Sequence, residues 1–301
     1  MQNSLGYKYS MLAPSGKMIV INVAVFIVMS LAVFLFQLEV PGTYNVFERW
    51  LGLFSNPMVV LTRPWSLLTY SFLHGSIMHL LGNMLVLYFT GNIFLNLFNG
   101  KQFYNVYLLG ALAGGLLYVL SYNLFPVFSG KNIPLVGASA SVMAILIFVC
   151  TYTPNLEVRL FGMFTLKLWY IGAFLVVMDL LSVSVSNPGG HIAHLGGALF
   201  GFIYAKQLQQ GTDIGAWFSN LMDGIANLFK GTSGNGGKKA KFKKVYRNKG
   251  NQSSKDAKVF NNDKNIHQKK IDAILDKISK SGYDSLTKEE KDYLFRAGKN
   301  N

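Results

Sequence analysis

Six apolar stretches, near residues 17–37, 76–97, 103–122, 138–153, 168–185 and 191–206, dictate what this chain can fold into. Crossing a hydrocarbon core ~30 Å thick takes about 20 helical residues, and each stretch comes near that length. Backbone polar groups find no water in lipid, so spanning segments must be helices that satisfy their own hydrogen bonds. The expected fold class is therefore all-α, a six-helix integral membrane bundle. The first stretch starts at Lys17 and could pass for a signal peptide. Its apolar run exceeds a signal core and lacks a small-residue cleavage site, so it counts as the first span. The fourth is short and opens at Gly137-Ala138-Ser139-Ala140, which lipid tolerates only where neighbouring helices or water satisfy its end.

Charge separates this apolar body from the C-terminal third of the chain. Of 28 Lys/Arg and 14 Asp/Glu, residues 1–205 hold 8 and 4, leaving 20 and 10 for residues 206–301. With 51% hydrophobic residues and 14% charged over its full length, the chain is too apolar for a soluble domain. If the N-terminus is cytoplasmic, Lys8, Lys17, Lys101, Arg159, Lys167 and the tail fall inside, against Arg49, Arg63 and Lys131 outside. The positive-inside rule favours that arrangement, with both termini cytoplasmic and the chain a multi-pass protein of the cell membrane. The second, fourth and sixth spans then start at the outer face, and these carry His79, Ser139 and His194 near their beginnings. Cys150 is the single cysteine, so no intrachain disulfide can form.

Polar, reactive side chains inside an apolar body read as functional by default. A serine hydroxyl needs a base in hydrogen-bond reach and donors for the oxyanion that its attack creates. Ser139 supplies the hydroxyl at a helix start, where free N–H groups and the helix dipole favour negative charge. His194, Gly197 and Gly201 fall on one helical stripe, so the glycines draw a second helix against the face that bears the imidazole. His191 lies one turn earlier on that face and is the competing base. His79 and Asn83, four apart, offer an imidazole and a carboxamide as oxyanion donors, with an interhelical clasp as the plainer use. His74, His79, His191 and His194 also leave a metal reading open, although no HExxH and no Cys or carboxylate cluster accompanies them.

Three ordered pieces give these residues a family context: Trp65 to Thr69 leading into His74-x4-His79-x3-Asn83, then Gly137-x-Ser139, then Ala193-His194-x2-Gly197-x3-Gly201. Together they resemble the rhomboid family of intramembrane serine proteases over residues 17–206. The resemblance implies Ser139 as nucleophile and His194 as general base and acid, a dyad without an aspartate. It also implies an oxyanion site of His79, Asn83 and the Ser139 backbone. No cofactor and no metal is implied. The implied activity is endopeptidase cleavage of transmembrane protein substrates near the outer face, with residues 39–75 as a membrane-embedded loop beside substrate entry. The alternative is a catalytically inactive rhomboid-like protein that binds and guides membrane clients.

Three positions depart from the pattern: Ala140 where many rhomboids have glycine, Ser66 where many have arginine, and Met143 where an aromatic often stands. Asp179 is the one charged residue deep in a span. The sequence puts it in the middle of its helix, away from the ends where Ser139 and His194 stand, and a buried packing contact is the expectation.

The membrane domain is thus expected over 1–206. Residues 207–230 come next as an interfacial amphipathic helix, with Ile214, Trp217, Phe218, Leu221, Met222, Ile225, Leu228 and Phe229 on one stripe. Residues 231–265 read as a flexible basic linker whose clustered lysines suit anionic membrane lipid, with no nucleic acid expected. Residues 266–298 read as a small helical hairpin. Ile271, Ile274, Leu275 and Ile278 form its apolar stripe, and Thr287 with Glu290 caps its second helix. So small a unit is expected to dock on an unknown partner. The tail resembles short tails on rhomboids of Bacteroidetes-type bacteria.

Overall fold

The computed structural model describes residues 4–36, 45–160, 163–229 and 270–299. These fall in two units, Met1–Ser233 and Gly234–Asn301. The first opens with α1 (Leu5–Met11) and α2 (Pro14–Phe36). Three short helices come next, α3 (Val46–Leu51), α4 (Pro57–Thr62) and α5 (Ser66–Thr69). The body is completed by α6 (Ile77–Leu97), α7 (Gly100–Leu124), α8 (Ser139–Tyr152), α9 (Leu168–Ser182) and α10 (Pro188–Gln209). Helix α11 (Ala216–Phe229) closes the unit.

Among the described residues, α2, α6 and α7 are long and apolar enough to cross a membrane, and α8 and α9 are shorter apolar helices. Their ends arise from capping chemistry. Ser76 accepts from the His79 amide at the start of α6, and Asn99 with Gln102 forms a capping box for α7. Helix α10 begins three residues earlier than the apolar pattern suggests. Asn187 adopts the left-handed conformation and caps Gly190, and Pro188 sits at the first helical position. His191 and His194 therefore occupy the first two turns of α10.

The bundle is built around α8, where every residue from Ala140 to Cys150 is buried. A helix apolar on all sides belongs at a centre, and α10, α7, α6 and α9 all pack on it. At 1.5 Å per residue its 14 residues span about 21 Å, less than a hydrocarbon core. Its first residue can therefore lie below a membrane surface while still enclosed by protein. Helix α2 is the opposite case, a strongly apolar helix with little of its surface buried in the protein. It turns Ser15, Met18 and Asn22 inward, and Asn22 Nδ2 donates to the Tyr107 hydroxyl at 3.2 Å.

Two small antiparallel pairs accompany the helices. β1 (Leu53–Phe54) pairs with β2 (Pro134–Leu135), matching Leu53 to Leu135. β3 (Glu157–Leu160) pairs with β4 (Phe164–Lys167) between α8 and α9. The first pair matters for the site, because it ties the loop after α3 to the segment that runs into Ser139.

Helix α11 starts at Ala216, later than the expected start at 207 because α10 runs on to Gln209, and it docks on α7. Asn105 Nδ2 donates to the Gly215 carbonyl at 2.9 Å, Lys101 pairs with Asp223 at 2.6 Å, and Phe218 is buried. Trp217, Leu221 and Leu228 of the same stripe remain exposed. The expected linker, 231–265, lies outside the described residues. In the second unit, helices α12 (270–281) and α13 (Lys288–Lys299) form the hairpin. The expected capping box is present: the Glu290 amide donates to Thr287 Oγ1 at 3.3 Å, and the Thr287 amide donates to Glu290 Oε2 at 2.8 Å.

Candidate active site

Small residues bring α7, α8 and α10 to one point. A Cβ added at Gly114 of α7 would lie 2.6 Å from both the Ala140 Cβ of α8 and the Ala193 carbonyl oxygen of α10. From α10, a Cβ at Gly197 would overlap the Ala140 carbonyl, and one at Gly201 would overlap the carbonyl of Ala144. Gly110 of α7 meets the Ala144 methyl in the same way. Glycines of α7 and α10 thus both pack on Ala140 and Ala144 of α8, the close approach that small residues permit between membrane helices. Ser139 precedes Ala140 and His194 comes after Ala193, so the nucleophile and the base candidates stand next to the pinch point, each half-buried. The Ala140 departure is absorbed here, because its methyl fits against Gly114.

The segment before Ser139 is held by its backbone. Gly137 has φ +135°, a conformation that favours glycine, and its N–H donates to the Tyr70 carbonyl at 3.0 Å. Tyr70 is itself fully buried and donates its hydroxyl to the Ala111 carbonyl at 2.7 Å. No side chain caps α8, so the amides of its first turn lack a capping acceptor. A Cβ at Gly137 would stand 2.6 Å from His79 Cε1, 2.9 Å from His79 Nε2 and 3.5 Å from Ser139 Oγ. The imidazole of α6 and the hydroxyl of α8 therefore flank one point, and only glycine leaves that point free.

Asn83 lies one turn below His79, is 8% exposed, and its Nδ2 has no hydrogen-bond partner. A buried amide donor left open is costly unless something uses it. His74 stands edge-on to His79 with ring centroids 5.2 Å apart. Burial, with His79 as the second cause, pushes the His74 imidazole down to about 4, so it is neutral near pH 7.

Asp179 overturns its expectation. Helix α9 ends at Ser182, sooner than residue 185, so Asp179 sits in its last turn and faces the first turns of α10. Its Oδ1 lies 2.8 Å from His194 Nδ1 and 2.7 Å from His191 Nδ1. The base candidate therefore has a carboxylate behind it, where a dyad without aspartate was expected. Helical depth was readable from sequence, but the turn that folds α9 back onto α10 was not. The one signal in the sequence was that a lone acid in an apolar body demands partners.

The ligand atoms of Asp179, His191 and His194 lie within 4.8 Å of one another, and among the described residues they form the one cluster with metal-ligand chemistry. Ligands at 2.0–2.1 Å around a tetrahedral zinc stand roughly 3.3 Å apart. Separations of 2.7 and 2.8 Å are those of hydrogen bonds, and the set does not fit an ion as it stands. No aromatic of α8 stacks on His194. Met143 is core, and the ring contact that His194 makes is edge-on with His191, centroids 5.8 Å apart.

The loop over the site is anchored without an arginine after Trp65. Arg63 lies over the Trp50 ring at 4.4 Å and donates to the Arg49 carbonyl, while Trp65 Nε1 donates to the Trp50 carbonyl at 2.8 Å. Ser66 is buried in its place. Residues 39–44 of the expected loop lie outside the described residues. A cavity of about 600 Å³ between α2, α3 and the 73–75 turn is lined by Phe26, Phe47, His74 and Val136, so it reaches the residue before Gly137.

A Rhomboid domain matches residues 61–210, and a family of unknown function, DUF6576, matches residues 254–299. The chain is 34% identical over 177 residues to the mitochondrial presenilin-associated rhomboid-like protein of Bos taurus, covering 57% of this chain and 45% of that protein. The Homo sapiens protein of the same name is 36% identical over 154 residues, 50% of this chain and 39% of its own length. RHOMBOID-like protein 12 of Arabidopsis thaliana, also mitochondrial, is 28% identical over 160 residues, 50% of this chain and 48% of its own. The chain spans less than half the length of these relatives. The matched domain contains the residues that gather at the glycine-packed end of α8, and the chain belongs to the rhomboid family.

Proposed function

We propose that this protein is an intramembrane serine endopeptidase that hydrolyses peptide bonds of transmembrane protein substrates near the outer membrane face. The observation that supports the reading is the convergence of Ala140 and Ala193 on Gly114 at the start of a buried helix, since these are the chain neighbours of Ser139 and His194. In this reading Ser139 Oγ attacks the scissile carbonyl carbon and its proton passes to His194 Nε2. The carbonyl electron pair moves onto oxygen, facing His79, Asn83 Nδ2 and the uncapped amides of α8. His194 then gives the proton to the leaving amide nitrogen as the C–N bond breaks. A water that gives its proton to His194 then attacks the acyl carbon, and His194 returns the proton to Ser139 Oγ as the ester C–O bond breaks, freeing the acid and the serine. The cavity between α2 and α3 offers room for substrate beside this point.

The six-span topology belongs to the same reading. Helices α2 and α6 to α10 cross the membrane, and the bias of basic residues puts both termini on the cytoplasmic side of a cell membrane. A mitochondrial membrane, which the relatives' names specify, is the other compartment that localisation by fractionation distinguishes. Exposed Trp217, Leu221 and Leu228 of α11, with the basic stretch after it, suit anionic lipid. The terminal hairpin serves an unidentified partner.

The test is labelling by a serine-directed fluorophosphonate, with the modified residue located by mass spectrometry. Labelling at Ser139 that disappears in His194→Ala is expected. A folded protein with no labelling at Ser139 favours the client-binding, non-catalytic rhomboid reading.

A further inference from the structure

Asp179 is the single acid in the helices assigned as spans, α2 and α6 to α10, and it is 7% exposed. A carboxylate so placed is tolerated only with hydrogen-bonding partners. Both partners are imidazoles of α10, one turn apart, and both bring Nδ1 to the same oxygen, at 2.7 and 2.8 Å. An ionised carboxylate only accepts hydrogen bonds, so each Nδ1 carries the proton. In a neutral imidazole that leaves Nε2 with its lone pair free. His79 of α6 also lies within electrostatic reach of His194.

We propose that Asp179 is the positioning residue of His194, fixing its ring in the Nδ1–H tautomer, with His191 holding the shared carboxylate oxygen from the other side. The catalytic consequence rests on the protease reading above; the tautomer does not. When Ser139 gives its proton to His194 Nε2, the ring becomes an imidazolium whose Nδ1–H stays on nitrogen. The carboxylate beside it stabilises that charge without taking the proton. The site then works as a serine, a histidine and an aspartate on α8, α10 and α9, in place of a bare dyad.

The chain has five histidines, so selective ¹⁵N-histidine labelling of the full-length protein in detergent micelles resolves them, with single His→Gln variants for assignment. The wild type at pH 7 should show protonated Nδ1 and bare Nε2 for His194 and His191. In Asp179→Asn the side-chain amide can donate to Nδ1, and His194 should move to the Nε2–H tautomer. A wild-type spectrum with His194 already Nε2–H overturns the proposal, and so does an Asp179→Asn spectrum identical to wild type. This readout needs no activity, so it stands even if the protease reading fails. Where cleavage is measurable, Asp179→Asn should lose about 10²- to 10⁴-fold in kcat with little change in KM, and Asp179→Glu should recover part of it. A loss below about threefold in a folded Asp179→Asn contradicts the catalytic role while leaving the Ser139 result intact.

Discussion

Gly197 of α10 rests on the backbone carbonyl of Ala140 in α8, so closely that a Cβ at Gly197 would overlap the carbonyl oxygen. This contact, one turn after His194 and one residue after Ser139, sets the register between the two helices that carry the proposed chemistry. Gly201 repeats it against Ala144.

Gly197→Val should therefore push α10 away from α8. Overpacking costs typically about 1–3 kcal/mol, and the displaced base should cost activity well beyond that loss of stability. A thermal melt in detergent together with a cleavage rate checks both. A folded Gly197→Val protein with wild-type turnover would contradict the register argument.

Much of this was legible in the sequence because membrane helices announce themselves. The apolar runs marked six helices close to their observed bounds, and the stripe of His194, Gly197 and Gly201 implied a tight helix contact that the structure realises on α8. The Thr287–Glu290 capping box was readable for the same reason: its residues are neighbours in sequence. Features that depend on how helices turn back on each other were not readable. Asp179 faces two histidines because α9 stops at Ser182 and residues 183–187 reverse the chain, and no local pattern encodes that reversal. Arg63 likewise takes over the anchoring of Trp50 from a position on the other side of Pro64.

Asn83 Nδ2 is buried without a partner, which suits a donor reserved for an oxyanion. Loss of one such donor typically costs about 10²- to 10³-fold in rate. Asn83→Ala and His79→Ala should each fall in that range and still label with a fluorophosphonate, more slowly. Unchanged rates in both variants would reduce the α6 residues to packing.

His74 gives a pH signature. Its imidazole titrates at about 4 in the folded protein, down from 6.5. The unfolded chain takes up that proton first, so the stability contributed by His74 is complete above pH 6.5 and is lost as pH falls toward 4. Melting temperatures over that window should decline less steeply in His74→Asn than in wild type. Equal slopes would show that His74 is not the group responsible.

The catalytic unit should not need the tail. A chain ending at residue 230 keeps α11, with its Asn105 and Lys101 contacts to α7, and loses the basic stretch and the hairpin. It should cleave a detergent-presented substrate at close to the full-length rate. Binding to vesicles rich in anionic lipid should weaken, since clustered lysines add roughly 1 kcal/mol each. A folded but inactive truncation would move part of the catalytic state into the tail.

The central claim, that Ser139 and His194 act as one unit, is tested most directly by the rate of cleavage of a transmembrane substrate in proteoliposomes. Wild type, Ser139→Ala, His194→Ala and the double variant are compared. Groups that work together are non-additive, so each single substitution should abolish turnover and the double should be no worse than either. Substantial cleavage by Ser139→Ala, or full cleavage by His194→Ala with loss in His191→Ala, would contradict the account.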